Sequence, residues 1–293
     1  MAIETRWLYT TSNDLPKLCE ESKGVCVIPI GCVEKHGLHL PLGADILQAS
    51  GIAYEASKLE TFTVFADYVF GDVPMGAPTY HPGSITIEPE LEMELLEVLC
   101  EQIARWGYKK ILIYNGHGGN SGWLGVFLRK MANKKRNFVA AWSMMPLMAP
   151  HKMAEMIIEK GSGCIPELTK EDEELLLKYH EQDMRIGHAC FGETADLMGL
   201  HPHTVHLERL GIESGRSIHA TDYLRDAKIS IISGGWDVDY PNAFSGDDPV
   251  GCNERIGKAA VRLAAERLAH TVKVFKEDTN VEKWLLDEYQ KGW

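Results

Sequence analysis

The sequence predicts an α/β fold with a central, mostly parallel sheet and helices on both faces of that sheet. The first reason is that short apolar runs of strand length alternate with longer segments whose apolar residues recur at helical spacing. The second is that this alternation repeats along the chain, as in strand–helix–strand units. The third is that the 293 residues contain no internal repeat or low-complexity linker. We therefore expect residues 1–293 to form one domain.

The first half of the chain contains most of the predicted strands. Two helices between them have clear start signals, because Asp45 is a good N-cap residue and Pro89 stands where a missing N–H costs nothing. Gly107 marks the end of the second of these helices. The predicted strands cover 25–31, 62–67, 110–115 and 138–143, and the predicted helices cover 46–60, 90–107 and about 120–134.

The second half of the chain is less regular. Residues 144–186 are expected to form helical segments joined by loops, and 166–182 have the acidic first turn that suits a helix dipole. The β-branched run KISIIS (228–233) predicts a short strand. A long closing helix is predicted from about 253 to 276.

Composition and charge exclude several classes of protein. With 45% hydrophobic and 25% charged residues the chain has an ordinary globular composition. Its net charge of −12 argues against nucleic acid or an anionic membrane as a partner, since both need a basic surface. The longest early apolar run, 25–33, is too short to span a bilayer, and we see no signal peptide, so a cytoplasmic location is expected. The seven cysteines form no C-x-x-C pair and are expected to be free thiols.

The segment GCVEKHGLHLPLGAD (31–45) concentrates polar side chains just after the first predicted strand. Glu34 and His36 are two residues apart, so in extended chain both face the same side and could contact one cation. Asp45, at the start of the following helix, can supply a carboxylate that bridges two ions. Ligands of parallel sheets usually bind beyond the carboxyl ends of the strands, which is where this segment lies.

Two further segments carry similar side chains. YNGHGGNSG (114–122) places His117 at the end of the third predicted strand, among glycines that allow close approach of a metal or substrate. GHACFGETADLMG (187–199) contains His188 and Glu193, which we expect to lie in a glycine-flanked loop. The combined set of imidazoles and carboxylates suits zinc, manganese or iron better than calcium.

Each of these residues also has a simpler interpretation. A single histidine or acid in a loop is usually solvated or hydrogen-bonded without a catalytic duty. We apply that interpretation to the other conspicuous histidines, and we expect the aromatic residues Trp142, Trp236 and Tyr240 to serve packing. The coincidence of three such segments at glycine-rich strand ends is what favours a metal site.

The three segments resemble the creatininase (creatinine amidohydrolase) family. The resemblance rests on IPIGCVEKHGLHLPLGAD (28–45), on the NGHGGN box (115–120), and on His188 followed five residues later by Glu193-Thr194. PGSITI (82–87) and SGDDP (245–249) are similar to further segments of the family. The likeness extends from about residue 25 to 275.

The resemblance implies a creatininase-like domain with a dinuclear metal centre that hydrolyses a cyclic or other non-peptide amide C–N bond. It also implies a homo-oligomer, commonly a hexamer, and a small-molecule substrate. By matching motif, His36, Asp45, His117 and Glu193 would hold one ion, and Glu34 with the bridging Asp45 would hold the second. Zinc is expected at one position, with manganese, iron or a second zinc at the other. His188 matches a histidine that assists the reaction.

The sequence departs from creatininases proper at two places. They carry a metal-binding glutamate two residues after the box histidine, where this chain has Gly119, so the second ion is expected to be weaker, more hydrated or absent. They place a tryptophan four residues before the assisting histidine, where this chain has Met184 followed by Arg185. Creatinine is therefore a doubtful substrate. Together with Ser84, these two residues are our candidate substrate-binding positions, and an inward-facing Arg185 would suit a carboxylate or phosphate.

The mechanism implied is attack by water whose pKa the metals lower toward ~7, so that metal-bound hydroxide forms at neutral pH. His188, titrating near neutrality, would protonate the leaving nitrogen. Two alternatives remain open. The chain could act on a cofactor precursor, as the deformylases and the peptidase of this family do, or it could bind metal without turnover. A nucleotide-binding fold is disfavoured because no G-x-G-x-x-G follows the first strand.

Overall fold

The computed structural model describes residues 3–73, 81–288 and 291. Its sheet has four strands, all parallel, in the order β2-β1-β3-β4. The strands are β1 (Val25–Ile30), β2 (Thr63–Val64), β3 (Lys110–Asn115) and β4 (Val139–Met144). The predicted α/β class with a parallel sheet is confirmed.

The helices account for most of the remaining chain. Four of them flank the sheet: α2 (Ala44–Leu59), α3 (Pro89–Arg105), α4 (Ser121–Ala132) and α10 (Glu254–Glu277). The others are α1 (Leu15–Glu21), α5 (His151–Lys160), α6 (Lys170–Glu181), α7 (Phe191–Leu200), α8 (Asp222–Asp226), α9 (Trp236–Asp239) and α11 (Asn280–Lys283), with short 3₁₀ turns and a π-helical turn at Trp284–Glu288. Among the described residues, none of the helices has the length and apolar character needed to cross a membrane.

Both faces of the sheet are covered by helices, as predicted. Alternate β1 residues face opposite ways, and every residue of β1 is buried. Val25 and Val27 pack in a core with residues of α2 and α10, whereas Cys26 and Ile28 pack with residues of α3 and α4. A third core joins α5, α6 and α7 to the other side of α10. The helical segments predicted for 144–186 therefore form a layer beyond α10.

Two local predictions are wrong, and a third, for β2, is right in place but too long. The strand predicted at 62–67 pairs only at Thr63–Val64, because Pro29 of β1 has no N–H to donate to this side of the sheet. The strand predicted at 228–233 is absent: Lys228 has φ +60° and Ile232–Gly235 form a 3₁₀ turn. β-branched residues favour strands only where a sheet surface is available to pack on, and Ile229 is exposed.

The other wrong prediction concerns the start of α2. The helix begins at Ala44 with Gly43 as its N-cap, so Asp45 is the second helical residue and not the cap. Its carboxylate is therefore free for other contacts. The predicted division of the chain, one domain over 1–293, stays a prediction.

Candidate metal centre

The five predicted ligands meet at the carboxyl end of the sheet. Glu34 and His36 follow β1, His117 follows β3, Asp45 lies in the first turn of α2, and Glu193 lies in the first turn of α7. All five side chains are buried. Glu193 is on a helix rather than in the loop we predicted.

Two glycines allow Asp45 to reach the ends of the strands. A Cβ atom on Gly31 would lie 2.4 Å from the backbone nitrogen of Ile46, and one on Gly116 would lie 2.6 Å from the carbonyl oxygen of Asp45. Both distances are shorter than van der Waals contact, so only glycine permits this approach. The first turn of α2 thus packs directly against the ends of β1 and β3.

The ligands form two groups that share Asp45. In the first group the Nδ1 of His117 lies 2.8 Å from Asp45 Oδ2 and 3.5 Å from Glu34 Oε2. In the second group the Nε2 of His36 lies 3.1 Å from Asp45 Oδ1 and 3.8 Å from Glu193 Oε2. Each oxygen of Asp45 therefore faces a different group, which is the arrangement of a bridging carboxylate.

This grouping differs from the expected one. The sequence motifs placed His117 with His36 and Glu193, but the structure places it with Glu34. Because β1 and β3 are neighbours in the sheet, the loops that leave their ends lie side by side, and within those loops Glu34 is the residue that faces His117. Glu193 approaches from α7 and reaches only the His36 side.

The two imidazoles are oriented as metal ligands are. The outward nitrogen of His36 (Nδ1) donates to the carbonyl of Glu34 at 3.1 Å, and that of His117 (Nε2) donates to the carbonyl of Asp72 at 2.9 Å. Since a carbonyl oxygen can only accept, each outward nitrogen carries the proton. The inward nitrogen of each neutral ring carries no proton and faces carboxylate oxygens. Because this nitrogen and these oxygens are all acceptors, a cation or a proton must lie between them. These residues fit a bound divalent metal.

The pKa values reflect the same crowding of negative charge. Burial opposes charge on the imidazoles, but Asp45 and its neighbouring carboxylates raise the pKa of His36 to about 10 and that of His117 to about 9. Burial likewise raises the pKa of Glu34 and Glu193. The centre therefore attracts positive charge, which either two protons or metal ions can supply.

His188 lies beside the centre with its ring stacked on that of His36, the centroids being 3.9 Å apart. Its Nε2 donates to the carbonyl of Lys35 at 2.8 Å, and its Nδ1 lies 3.8 Å from Glu34 Oε2. Burial, together with positive charge on His36, lowers the pKa of His188 to about 4. This pKa lies below the near-neutral value expected from the sequence. Because Nε2–H donates to Lys35, Nδ1 is the ring nitrogen left to accept a proton.

A cavity of about 550 Å³ opens above the centre. Glu34, Asp45, His117, His188 and Glu193 line it together with Asp72, Trp236 and glycines 118, 119 and 187. Its volume suits a small molecule or a short segment of a larger one. Trp236, which we expected to serve packing, lies at the cavity wall with its ring 5.2 Å from that of His188.

The candidate substrate-binding residues are placed less favourably. None of them is among the residues that line this cavity. Met184 packs against the helical core, and Arg185 forms an ion pair with Asp247 at 3.1 Å instead of pointing inward. Ser84 accepts a hydrogen bond from the backbone N–H of Lys35 at 2.9 Å, which supports the loop between Glu34 and His36.

Two described residues of the site, Cys32 and Asp72, were not predicted from the sequence. Cys32 belongs to a group of potential ligand atoms with Glu34, Asp45 and His117 that all lie within 4.8 Å of one another. Its position two residues before Glu34, on the same side of extended chain, is a signal that could have identified it. Asp72 contributes its carbonyl to His117 and its side chain to the cavity wall, and no local pattern marks it.

Comparisons with known proteins agree with this architecture. A mycofactocin precursor peptide peptidase of Mycolicibacterium smegmatis is 36% identical over 100 residues, which are 32% of this chain and 39% of that protein. The matched part is thus about two fifths of this relative's length. Two solved creatininases, a mutant described as Zn-Zn type and one described as Mn, are 14% and 15% identical. Each has a TM-score of 0.69 over 94% of this chain and 100% of theirs.

The family assignment extends over most of the sequence. Residues 9–272 match the family described as creatininase, creatinine amidohydrolase. That range contains all five predicted ligands and His188, at the positions whose motifs first suggested the resemblance. The chain belongs to the creatininase family.

Proposed function

We propose that this protein is a metal-dependent amidohydrolase that cleaves the C–N bond of a cyclic or formyl amide in a small molecule. The observation that supports this proposal is the pair of donor groups that share Asp45 and line a cavity of about 550 Å³. We further propose zinc at one position, with manganese, iron or a second zinc at the other, because mixed imidazole and carboxylate donors suit these metals.

The bound cations would lower the pKa of water and polarise the scissile carbonyl. The chain itself supplies a proton carrier in His188. Because its Nε2–H is held by the carbonyl of Lys35, Nδ1 is the nitrogen left to accept a proton from the attacking water. The same nitrogen can then deliver that proton to the leaving amine. Such a positioned group typically contributes about 10²–10⁴ in rate.

A second candidate is hydrolysis of a peptide bond in a short peptide. It is favoured by the 36% identity to the mycofactocin precursor peptide peptidase over 100 residues. The chemistry at the centre would be the same, since a peptide bond is also an amide. The two candidates differ only in what the cavity has to admit.

The experiment combines metal analysis with a substrate screen. We expect purified protein to retain metal, and to hydrolyse at least one member of a panel of formamides, lactams and short peptides. Asp45→Asn should release metal from both groups and abolish turnover, because each oxygen of Asp45 serves one group. The matched control is Asp67→Asn, since Asp67 is exposed and bonded only to Ser50 among the described contacts.

Three outcomes would contradict or redirect the proposal. Full metal content in Asp45→Asn would contradict the bridging role. Metal binding without turnover on any substrate class would favour the alternative of a metal-binding protein. Turnover confined to peptides would favour the second candidate over the first.

A further inference from the structure

A cysteine thiol lies inside one of the two donor groups. Sγ of Cys32 is 3.0 Å from Asp45 Oδ2 and 3.8 Å from Glu34 Oε2, and the side chain is fully buried. The ligand atoms of Cys32, Glu34, Asp45 and His117 all lie within 4.8 Å of one another. The sulfur is thus among the donors and not behind them.

The local backbone accounts for this position. Val33 forms a bridge with Ile85, so the chain is extended between Cys32 and Glu34 and the two side chains share a side. Cys32 directly follows Gly31, where the first turn of α2 packs against the end of β1. The sulfur and the Asp45 carboxylate therefore approach the same point from two elements.

The number of donors at this half also favours sulfur as a ligand. Without Cys32, the group consists of two carboxylates and one imidazole. Residue 119, next to His117 in space, is a glycine and offers no side chain. Zinc takes four protein ligands in structural sites and three plus a water in catalytic sites, and thiolate is one of its preferred donors. With Cys32 as a fourth ligand here, the position for water would lie at the His36–Asp45–Glu193 half, which offers three.

We propose that Cys32 is a metal ligand, so that the Glu34–Asp45–His117 half of the centre binds its ion through one sulfur, one nitrogen and carboxylate oxygens. This inference rests on the proposed function, since it requires that the centre hold a metal. On coordination the S–H bond is replaced by a metal–sulfur bond, and the proton passes to solvent. The ion itself supplies the charge that makes a coordinating thiol ionise.

A sulfur donor would make the two halves unequal. Thiolate favours zinc and other soft or borderline ions, whereas manganese prefers oxygen donors. Among the residues that the structure describes, the His36–Asp45–Glu193 half contains only nitrogen and oxygen donors. We therefore expect the half with Cys32 to select zinc or cobalt over manganese.

The first test replaces the metal with cobalt. The wild-type protein loaded with Co²⁺ should show a sulfur-to-cobalt charge-transfer absorption in the near ultraviolet, and Cys32→Ser should lose it. Cys190→Ser is the matched control. Cys190 is a buried thiol close to Glu193 but outside the donor groups, and serine suits its N-cap position on α7. This control should keep the absorption.

The second test does not depend on a variant. X-ray absorption at the zinc edge of the wild-type protein should show a sulfur neighbour at about 2.3 Å, the usual zinc–sulfur distance. Competition between Zn²⁺ and Mn²⁺ supplies a third measurement. Loss of a group that only hydrogen-bonds a metal ligand costs roughly 10- to 100-fold in metal affinity. Cys32 is proposed as a ligand itself, so Cys32→Ser should lower the preference for Zn²⁺ over Mn²⁺ by at least that factor.

The results separate this inference from the proposed function. A protein that binds metal through nitrogen and oxygen alone, with a cobalt spectrum unchanged in Cys32→Ser, would overturn the inference and leave the proposed function intact. In that case the thiol only donates a hydrogen bond to Asp45. A wild-type protein that binds no metal would overturn both.

Discussion

Asp45 is the residue on which the geometry of the centre depends. Burial alone would favour its protonated form, but His36 and His117 hold the pKa of the Asp45 carboxyl well below its ordinary value. It therefore stays ionised with one oxygen toward each histidine. A neutral isostere at this position would remove the charge that both donor groups share.

At the residue scale, metal affinity should depend steeply on pH. His36 and His117, with pKa values of about 10 and 9, both bind protons at neutral pH when no metal competes. Metal binding must displace those protons, so affinity should rise with pH until the histidines have lost them, near pH 9–10. Isothermal titration of Zn²⁺ between pH 6 and 8 in buffers of different ionisation enthalpy measures this. An affinity independent of pH would contradict it.

A second residue-scale prediction concerns His188. His188→Gln should lower turnover by about 10²–10⁴ and leave metal content unchanged, because His188 is assigned to proton transfer and not to coordination. Turnover and metal content of the same preparation are the measurements. Unchanged turnover would refute the proton-transfer role. Loss of metal would instead make His188 a ligand, since its ring also lies in a group with Glu34 and His36.

The residues of the site were predictable to different degrees. Glu34, His36 and His117 follow strands, so their place at the sheet edge follows from the parallel order of β1 and β3. Arg185 shows what local pattern leaves open. Its sequence position allows an inward or an outward side chain, and only Asp247, 62 residues away, fixes the outward one.

At the scale of elements, the contact between α7 and α10 positions Glu193. The helices cross at two glycines: a Cβ on Gly257 would lie 2.3 Å from the backbone nitrogen of Gly199 and 2.5 Å from the carbonyl oxygen of Ala195. The backbone atoms at this crossing cannot move aside as the end of a flexible side chain can. A methyl group on Gly257 must therefore push α7 and α10 apart. Glu193, in the first turn of α7, would move with them.

Gly257→Ala should therefore lower stability by roughly 1–3 kcal/mol, as overpacking of a core does, and should also weaken metal binding. Gly125→Ala in α4 is the matched control, because a Cβ there meets nothing within 4 Å. It should raise stability by about 0.4–1 kcal/mol, since alanine restricts the unfolded chain. Urea unfolding and zinc affinity are the measurements. Equal effects of the two substitutions would refute the close-packing argument.

Elements were predicted well where their sequence pattern had a single structural interpretation. The closing helix, predicted over 253–276, spans Glu254–Glu277. KISIIS at 228–233 failed because its β-branched residues can form a strand only beside another strand, and the chain places this run away from the sheet. The second strand was predicted too long for a related reason. β2 has 2 residues, because Pro29 on the neighbouring β1 has no N–H with which to continue the hydrogen-bonded ladder.

At the scale of the whole molecule, the metal centre should contribute to stability. It joins β1, β3, α2 and α7, which come from residues 25 to 200, and it places three carboxylates in a buried space. Without cations those charges repel one another or bind protons. Bound metal should therefore hold together elements that lie far apart in the sequence, from β1 to α7.

Removal of metal with a chelator should lower the thermal unfolding midpoint. A ligand at 100 times its dissociation constant stabilises the folded state by about 2.7 kcal/mol. For a chain of 293 residues, that energy corresponds to a fall of roughly 4–5 °C. Calorimetry before and after chelation, with Zn²⁺ or Mn²⁺ added back, is the measurement. A midpoint that does not change on removal of metal would show that the centre lies outside the cooperative unit.

The amino-acid sequence by itself determined the α/β class and the family resemblance, and it predicted the five candidate ligands. Those features depend on periodicity and on short motifs, which are local properties of the chain. Only the tertiary structure decided that His117 pairs with Glu34 and that Cys32 joins them. It also decided that Arg185 faces outward and that the Nε2 of His188 faces the carbonyl of Lys35. These depend on distances and burial between segments far apart in sequence, which no local pattern specifies.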